Sequence, residues 1–222
     1  MTLDLSKPIL YLITPGANTE QTTPDSPEFK QILEQLLAAV AAGIDLIQLR
    51  EKRLSARVLF ELTRQAAAIT SGTATRLLVN DRADIAASAG ADGVHLTTRS
   101  IDPRTIRRTF GDNFLIGAST HSLAEARAAK EGGADFIVFG PIFDTLSKRE
   151  YGPPLGLARL AEVTLELDGF PVLALGGITA NNATLCLKAG ANGVAGISLF
   201  SQPQQFENTV AEIERGALQN ES

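Results

Sequence analysis

The sequence has few of the residues that mark disulfide-rich or aromatic-rich proteins. Its 222 residues include one cysteine and no tryptophan, and only 5% of them are aromatic. One cysteine cannot form an intrachain disulfide, which excludes a disulfide-stabilised scaffold and predicts a reducing, cytoplasmic location. Because Cys186 lies in the apolar helical pattern ATLCLKAG, we expect a buried, inert thiol and not a nucleophile.

Strong charge and long apolar runs are also missing. The formal net charge is only −5 at pH 7, which argues against nucleic acid or an anionic membrane surface as a partner. No apolar run approaches the roughly 18 residues of a membrane span. The opening MTLDLSKP lacks the basic-then-apolar order of a secretory signal. No cysteine and histidine spacing predicts a zinc site.

The chain does contain short apolar strands that alternate with helical segments from end to end. The predicted strands are Ile9–Thr14, Asp45–Arg50, Arg76–Asn80, Asp92–Leu96, Phe114–Ser119 and Asp135–Gly140, with two more in Pro171–Asn182 and Gly190–Phe200. Four segments resemble one another: AGIDLIQL, AGADGVHL, GGADFIVFG and AGANGVAGIS. Each ends a helix at glycine and enters a strand through Asp or Asn, as a repeated βα unit requires.

Eight such units predict an α/β protein with a (β/α)8 TIM barrel. We expect one domain over residues 1–222, with flexible termini at 1–8 and 216–222. The polar stretch GANTEQTTPDSP reads as an exposed loop whose role over residues 16–27 stays open. A doubly wound open sheet is the main alternative, but it would place a glycine-rich phosphate loop after the first strand, where the chain reads ILYLITPGA.

In a barrel of this kind, residues just beyond the strands face the active site, and the last two loops commonly hold a phosphate. Gly176 and Gly177 would let a phosphate oxygen approach backbone N–H groups before a helix N-terminus. Ile197 and Ser198 come from the last unit.

Cationic side chains follow the second and sixth strands. Gln48, Arg50 and Lys52 alternate in QLREK and share a side in strand geometry, which predicts an anion between them. Their structural alternative is ion pairing with Glu51, Asp81 or Asp84. Lys148, with Thr145 and Ser147 in DTLSK, either adds a third cation or is a solvated loop charge.

Asp81 follows the third strand in NDR, where its carboxylate and the Asn80 amide suit Mg²⁺. The alternative is a helix cap formed with Arg82. His121 follows Ser119 and Thr120 at a strand end, where it could transfer a proton. His95 is expected to pack inside the barrel.

These motifs together resemble the thiamine-phosphate synthase and thiazole tautomerase superfamily. QLREK, NDR, DGVHL, STHS, GPIFDTLSK, ALGGI and GVAGIS occur in the family's order from Ile9 to about Phe200. The synthases join hydroxymethylpyrimidine pyrophosphate to thiazole phosphate and release pyrophosphate, after the bond to pyrophosphate breaks and leaves a pyrimidine methyl cation. The substrates would then be small phosphorylated molecules. Barrels of this kind often pair, so a homodimer is one assembly to test, and the oligomeric state stays open.

The resemblance also implies roles for individual residues. Gln48, Arg50, Lys52 and Asn80 would grip the pyrimidine pyrophosphate, and Asp81 would bind Mg²⁺. Ser119 and Lys148 would contact the leaving pyrophosphate. The thiazole phosphate would be held by Thr145, Ser147, Gly177, Ile197 and Ser198.

Two departures keep a second activity open. Synthases usually carry Gly-Gln and acidic residues after the fourth strand, whereas this chain reads HLTTRSID, with Ser100 at the place of a second Mg²⁺ ligand. LITPGA also lacks the acidic residue that often follows the first strand. A thiazole tautomerase-like isomerase acting on a thiazole carboxylate phosphate would use His121 as acid and base. A non-catalytic binder of a phosphate ligand is the third alternative. Lys52, Asp81 and Lys148 favour the synthase.

Overall fold

Within residues 3–144 and 153–218, the part of the chain that this computed structural model describes, eight parallel strands close into a barrel. They are β1 (Ile9–Ile13), β2 (Leu46–Leu49), β3 (Arg76–Asn80), β4 (Gly93–Leu96), β5 (Leu115–Thr120), β6 (Phe136–Phe139), β7 (Val172–Leu175) and β8 (Gly193–Gly196). Neighbours in the chain are neighbours in the barrel, and β1 pairs with β8. The (β/α)8 prediction is confirmed.

The same described residues hold eight α-helices outside the strands. They are α1 (Pro27–Ala41), α2 (Ala56–Thr70), α3 (Ala83–Ala89), α4 (Pro103–Phe110), α5 (Leu123–Glu131), α6 (Gly156–Glu166), α7 (Ala180–Lys188) and α8 (Phe206–Leu218). Two short 3₁₀ turns, Ser198–Phe200 and Pro203–Gln205, join β8 to α8. None of these helices is long and apolar enough to cross a membrane.

Alternation along the strands divides the apolar side chains between two cores. One set, which includes Tyr11, Leu46, Leu78, Leu115 and Phe136, fills the inside of the barrel. The larger set lies between the strands and the helices and includes Cys186, which is fully buried. Burial raises the pKa of this thiol to about 12, so it stays protonated and unreactive, as predicted.

The four similar segments form one repeated contact at the amino-terminal end of the barrel. Each supplies an Asp or Asn just before an even-numbered strand, and its side-chain oxygen accepts the N–H of a residue at the start of the preceding odd-numbered strand. The pairs are Leu10 to Asp45 (2.9 Å), Leu77 to Asp92 (2.8 Å), Ile116 to Asp135 (2.6 Å) and Val172 to Asn192 (2.9 Å). These bonds satisfy backbone donors where the ladder begins and fix the strand register.

Candidate active site

The predicted site residues that the structure describes lie at or just beyond the carboxyl ends of the strands. Gln48 and Ser119 are within β2 and β5, and Asn80 is the last residue of β3. Arg50, Lys52, Asp81 and Ser100 follow in the loops, and Ile197 and Ser198 follow β8. Parallel strands bring all of these ends to one rim of the barrel.

A chain of polar side chains crosses the barrel just below this rim. Gln48 Nε2 donates to the Tyr11 hydroxyl at 2.9 Å, and that hydroxyl lies 3.2 Å from His95 Nδ1. His95 Nε2 in turn lies 2.9 Å from Ser119 Oγ. His95 is therefore an interior residue, as predicted, but it is bonded to a candidate site residue and does more than pack.

Burial changes the acidity of the two central groups of this chain. Loss of solvent lowers the pKa of His95 to about 3, although the nearby Asp81 carboxylate opposes that shift. Burial likewise raises the pKa of the Tyr11 phenol far above its ordinary value, and the bond from Gln48 opposes it. Both groups are neutral at physiological pH, so they act as fixed hydrogen-bonding groups.

Asp81 occupies an unusual turn at the end of β3. Its φ of +61° lies in the left-handed region, and Asp81 is the only described residue other than glycine with a positive φ. Its N–H donates to the His95 carbonyl at 3.0 Å, and the Arg82 N–H donates to the Asn80 carbonyl at 2.8 Å. This tight turn is costly in backbone energy and is a feature that concentrates at functional sites.

The turn aims the Asp81 carboxylate at the loop that follows β4. One carboxylate oxygen accepts from Asn80 Nδ2 at 2.9 Å, and the other accepts from the Ser100 hydroxyl. The alternative helix cap with Arg82 is not what the structure contains, because Arg82 instead pairs with Asp84 at 2.7 Å. Asp102 caps α4 by accepting the Arg104 N–H at 2.7 Å. The structure therefore brings Asp81, Asn80 and Ser100 together.

This oxygen cluster fits one kind of Mg²⁺ site. Residues 3–144 and 153–218 contain no group of three or more His, Cys, Asp or Glu side chains arranged for a metal. Mg²⁺ commonly takes only one or two carboxylates and completes its shell with water and substrate phosphates. A carboxylate with an adjacent hydroxyl and amide meets that requirement, so the residues present fit an ion shared with a phosphorylated substrate.

The two cations after β2 are separated by a buried acid. Glu51 is 2% exposed, whereas Arg50 is half-buried and Lys52 is exposed. None of the ion pairs among the described residues includes Arg50 or Lys52. The predicted structural alternative, in which these cations pair with Glu51, Asp81 or Asp84, therefore does not account for them, and both remain available to an anion.

Glu51 instead anchors the loop that follows β1. Its two oxygens accept from Thr14 Oγ1 (2.7 Å), Gly16 N–H (3.2 Å), Asn18 N–H (3.3 Å) and Asn18 Nδ2 (2.8 Å). Thr14 Oγ1 also accepts the Arg50 N–H at 2.8 Å. The start of the 16–27 loop is thus tied to Arg50 at the rim. From sequence, Glu51 is expected only as an ion-pair partner of Arg50 and Lys52, and its anchoring role was not predicted, although an acid flanked by two cations in QLREK was a signal for it.

The loop after β7 has the conformation expected of a phosphate site. Gly176 and Gly177 have φ values of +101° and +64°. A Cβ on Gly177 would lie 2.7 Å from the Asp144 carbonyl oxygen, so no larger residue fits there. Thr179 and Asn182 form a capping box at the start of α7, and Asn182 Nδ2 also donates to the Gly177 carbonyl at 2.9 Å. Ser198 begins the 3₁₀ turn after β8.

His121 directly follows β5 and contacts the residue that follows β6. Its Nδ1 is hydrogen-bonded to the Gly140 carbonyl, and the residue lines a cavity of about 240 Å³ with Phe139 and Val163, between α5 and α6. Glu125 accepts the His121 N–H at 2.6 Å, while Ser122 caps α5. Thr145, Ser147 and Lys148 lie outside the described residues, as do residues 1–2 and 219–222 of the predicted flexible termini.

The closed parallel barrel and the polar side chains at its carboxyl-terminal rim are those of a TIM-barrel enzyme. The family model for thiamine monophosphate synthase matches residues 10–200. The chain belongs to this family, and its enzymatic class is that of the transferases that form thiamine phosphate.

Relatives agree with this assignment. The chain is 47% identical over 183 residues to a putative thiamine-phosphate synthase of Geobacter sulfurreducens, covering 82% of this chain and 85% of the relative. It is 36% identical over 214 residues to the thiamine-phosphate synthase of Chlorobium phaeobacteroides, covering 95% and 98%. The solved thiamine phosphate pyrophosphorylase of Pyrococcus furiosus superposes with a TM-score of 0.76 at 29% identity, covering 94% and 98%. The tautomerase alternative receives no support from these comparisons.

Proposed function

We propose that this rim couples hydroxymethylpyrimidine pyrophosphate to thiazole phosphate, and that Mg²⁺, Arg50, Lys52 and Ser119 stabilise the departing diphosphate. The carbon–oxygen bond to the diphosphate breaks, and the thiazole nitrogen forms the new carbon–nitrogen bond. The products are thiamine phosphate and pyrophosphate. Because the nitrogen becomes a thiazolium cation, the coupling needs no general acid or base.

The chain's own groups suit a step in which negative charge gathers on a leaving group. Arg50 and Lys52 carry no ion pair among the described residues, so no salt bridge to those residues would have to break before they neutralise an incoming diphosphate. Ser119 would donate to it, and Lys148 would add a third cation from outside the described residues. Groups already oriented toward developing charge lower the barrier because they need not reorganise during the reaction.

Asp81 and Ser100 would hold the magnesium ion together with the substrate's phosphate oxygens, and Asn80 would orient the Asp81 carboxylate. When bound, the ion supplies positive charge to the leaving oxygens. The left-handed turn at Asp81 supports this role, because its backbone is higher in energy than that of an ordinary turn and it directs the carboxylate toward the rim.

The thiazole phosphate would bind on the other side of the rim. Gly177, Ile197 and Ser198 follow β7 and β8, where backbone N–H groups at the start of α7 and of the 3₁₀ turn favour an anion. Thr145 and Ser147 would add hydroxyls. A buried thiol, Cys186, is consistent with the reducing cytoplasm in which we place this reaction.

One observation carries the proposal: the Asp81 carboxylate, which follows a left-handed backbone turn, meets Ser100 on the same rim as two cations that have no ion pair among the described residues. The test is to incubate the protein with both phosphorylated precursors and Mg²⁺, and to measure thiamine phosphate and pyrophosphate. We expect the two products in equal amounts. Failure to form thiamine phosphate at micromolar enzyme would reject the activity.

The metal assignment has its own test in Ser100→Asp. A second carboxylate beside Asp81 should bind Mg²⁺ more tightly, so that half-maximal activity needs roughly tenfold less Mg²⁺. Mg²⁺ alone should also raise the melting temperature of Ser100→Asp more than that of the wild type. Equal responses of the two proteins would remove the metal from this place.

A further inference from the structure

The polar chain below the rim has a defined direction. It links β2, β1, β4 and β5 through Gln48, Tyr11, His95 and Ser119, with contacts of 2.9, 3.2 and 2.9 Å. Gln48 and His95 are 2% exposed and Tyr11 is 0% exposed. Ser119 is the one partly exposed member. The chain therefore begins in the dry interior and ends at the mouth.

Hydrogen-bond chemistry fixes where each proton lies. The Gln48 amide nitrogen donates to the Tyr11 oxygen and cannot accept the phenol hydrogen in return. Among the described residues, the other hydrogen-bond partner of this hydroxyl is His95 Nδ1, so the phenol hydrogen donates there. His95 Nδ1 is then an acceptor, its hydrogen is on Nε2, and that hydrogen donates to Ser119 Oγ.

We propose that Tyr11 and His95 are positioning residues that keep the Ser119 hydroxyl hydrogen directed into the mouth, as a donor to an oxygen of the departing diphosphate. Ser119 Oγ already accepts from His95, so its own hydrogen is free for another partner. If the hydrogen bond ran the other way, the Ser119 hydroxyl would donate its hydrogen to His95 Nε2. Only oxygen lone pairs of Ser119 would then face the anion, which they would repel. This inference rests on the proposed function.

Packing keeps the chain in this arrangement. The Tyr11 ring meets Phe136 edge-on, with centroids 5.6 Å apart and planes at 78°. Gly117 provides the space: a Cβ there would lie 2.4 Å from Phe136 Cζ and 2.8 Å from His95 Nδ1. The imidazole is thus held between the phenol and Ser119, and only glycine at position 117 leaves room for this arrangement.

A double-mutant cycle tests whether Tyr11 acts through Ser119. Tyr11→Phe keeps the ring and should lower kcat about tenfold, without changing the KM for thiazole phosphate. Ser119→Ala should lower kcat roughly 100-fold. In the Ser119→Ala background, Tyr11→Phe should cost less than about twofold. An equal tenfold loss in both backgrounds would overturn the proposal.

Thr75→Val is the matched control for removing a buried hydroxyl. Thr75 Oγ1 donates to the Ile44 carbonyl at 2.8 Å, before β3 and at the opposite end of the barrel. This variant should lower the melting temperature and leave kcat unchanged. If Thr75→Val and Tyr11→Phe reduce kcat equally, the loss reflects general destabilisation and the proposal fails.

The tautomer of His95 gives a readout that does not depend on activity. The chain has two histidines, so a His121→Gln variant assigns the remaining ring in a ¹⁵N spectrum. We expect the hydrogen on Nε2 in the wild type and a mixture of tautomers in Tyr11→Phe. A hydrogen on Nδ1 in the wild type would contradict the proposed direction. A protein that makes no thiamine phosphate would reject the proposed function, while this spectrum would still decide the tautomer.

Discussion

The two ends of the barrel use their Asp, Asn and Glu side chains in opposite ways. At the amino-terminal end, Asp45, Asp92, Asp135 and Asn192 make the same contact four times, each with a backbone N–H of the neighbouring strand. At the carboxyl-terminal end, Asp81 sits in a left-handed turn and Glu51 is buried under a loop, and neither contact is repeated. The repeated contacts help to close the barrel, whereas the single contacts of Asp81 and Glu51 shape the candidate active site.

The difference also separates stability from chemistry. The repeated contacts satisfy backbone donors that would otherwise be unpaired, so each lowers the free energy of the folded state. Asp81 instead accepts the cost of a positive φ to aim its carboxylate at Ser100. Variants at the two ends should therefore move different measured quantities.

Asp81→Asn should produce the largest effect and only on activity. Asn tolerates the left-handed region as well as Asp does, so the free energy of unfolding should change by less than about 0.5 kcal/mol. Loss of the charged ligand should lower kcat/KM by roughly 100-fold or more. Steady-state kinetics and thermal melting measure the two quantities on the same preparation.

Asp84→Asn is the matched control for Asp81→Asn. Asp84 is an exposed carboxylate three residues further along the chain, paired with Arg82 at 2.7 Å. A surface pair of this kind contributes less than about 1 kcal/mol, and we expect no change in kcat/KM. Similar activity losses in both variants would mean that the charge of the whole loop matters, and not the position of Asp81.

Asp135→Ala should show the reverse pattern, with loss of stability and normal kcat. Asp135 accepts the Ile116 N–H at 2.6 Å and pairs with Arg107 at 2.7 Å, so alanine removes the side-chain acceptor of the Ile116 N–H and the carboxylate partner of Arg107, which keeps its bond to the Gly133 carbonyl. We expect the free energy of unfolding to fall by about 2 kcal/mol. Asp135→Asn keeps the backbone bond, as Asn192 does just before β8, and should cost about 1 kcal/mol. Chemical denaturation measures both values, and equal losses would show that the backbone bond contributes nothing.

The fold was predictable because its determinants repeat. AGIDLIQL and its three counterparts announce the helix end, the Asp or Asn contact and the strand in one short segment. The prediction for β3 matches, and that for β5 is shifted by one residue. Four other predicted strands exceed the observed ones by a residue or two, as at Asp45–Arg50 against Leu46–Leu49. The reason is that apolar pattern marks burial, whereas a strand ends where its hydrogen-bond ladder ends.

The site was predictable only in part, because its contacts join residues far apart in the chain. Spacing placed Asp81, Gln48 and Ser119 at strand ends, but it could not show that Tyr11 and His95 link two of them. A histidine after a strand predicted chemistry for His121, and in the structure its Nδ1 is hydrogen-bonded to the Gly140 carbonyl. Its catalytic role stays a prediction. So do the roles of Thr145, Ser147 and Lys148.

Glu51→Gln should affect both quantities, because this acid is buried at the functional end. Its oxygens receive four donors, and an amide nitrogen in place of one oxygen would face two of them. We expect a loss of about 1 to 2 kcal/mol in the free energy of unfolding. Because Thr14 links this loop to Arg50, the KM for the pyrimidine substrate should rise by about threefold.

Glu61→Gln, which changes a half-buried acid paired with the exposed Arg64 on α2, is the control for Glu51→Gln. It should leave both the free energy of unfolding and the KM near the wild-type values, because a pair that solvent reaches contributes little. A Glu51→Gln protein that is destabilised but has an unchanged KM would place Glu51 with the structural acids of the other end. Glu51 would then contribute to folding only, although it lies at the carboxyl-terminal end of the barrel.

His95 lies between the buried interior and Ser119 at the rim. Its burial predicts that the free energy of unfolding depends on pH. Its pKa is about 3 in the folded protein and about 6.5 in an unfolded chain. Below pH 6.5 the unfolded chain therefore binds a proton that the folded protein does not bind until pH approaches 3. The free energy of unfolding should fall with decreasing pH across this window, by up to about 1.4 kcal/mol per pH unit.

Denaturation between pH 6.5 and 5, where most carboxylates remain ionised, measures this slope of the free energy of unfolding against pH. His95→Gln should flatten it, and identical slopes in the two proteins would mean that His95 takes up its proton in the folded state. In that case the interior of the barrel would tolerate a charged imidazolium close to the active-site rim. Stability and catalysis would then be less separable than the buried contacts of Tyr11 and His95 imply.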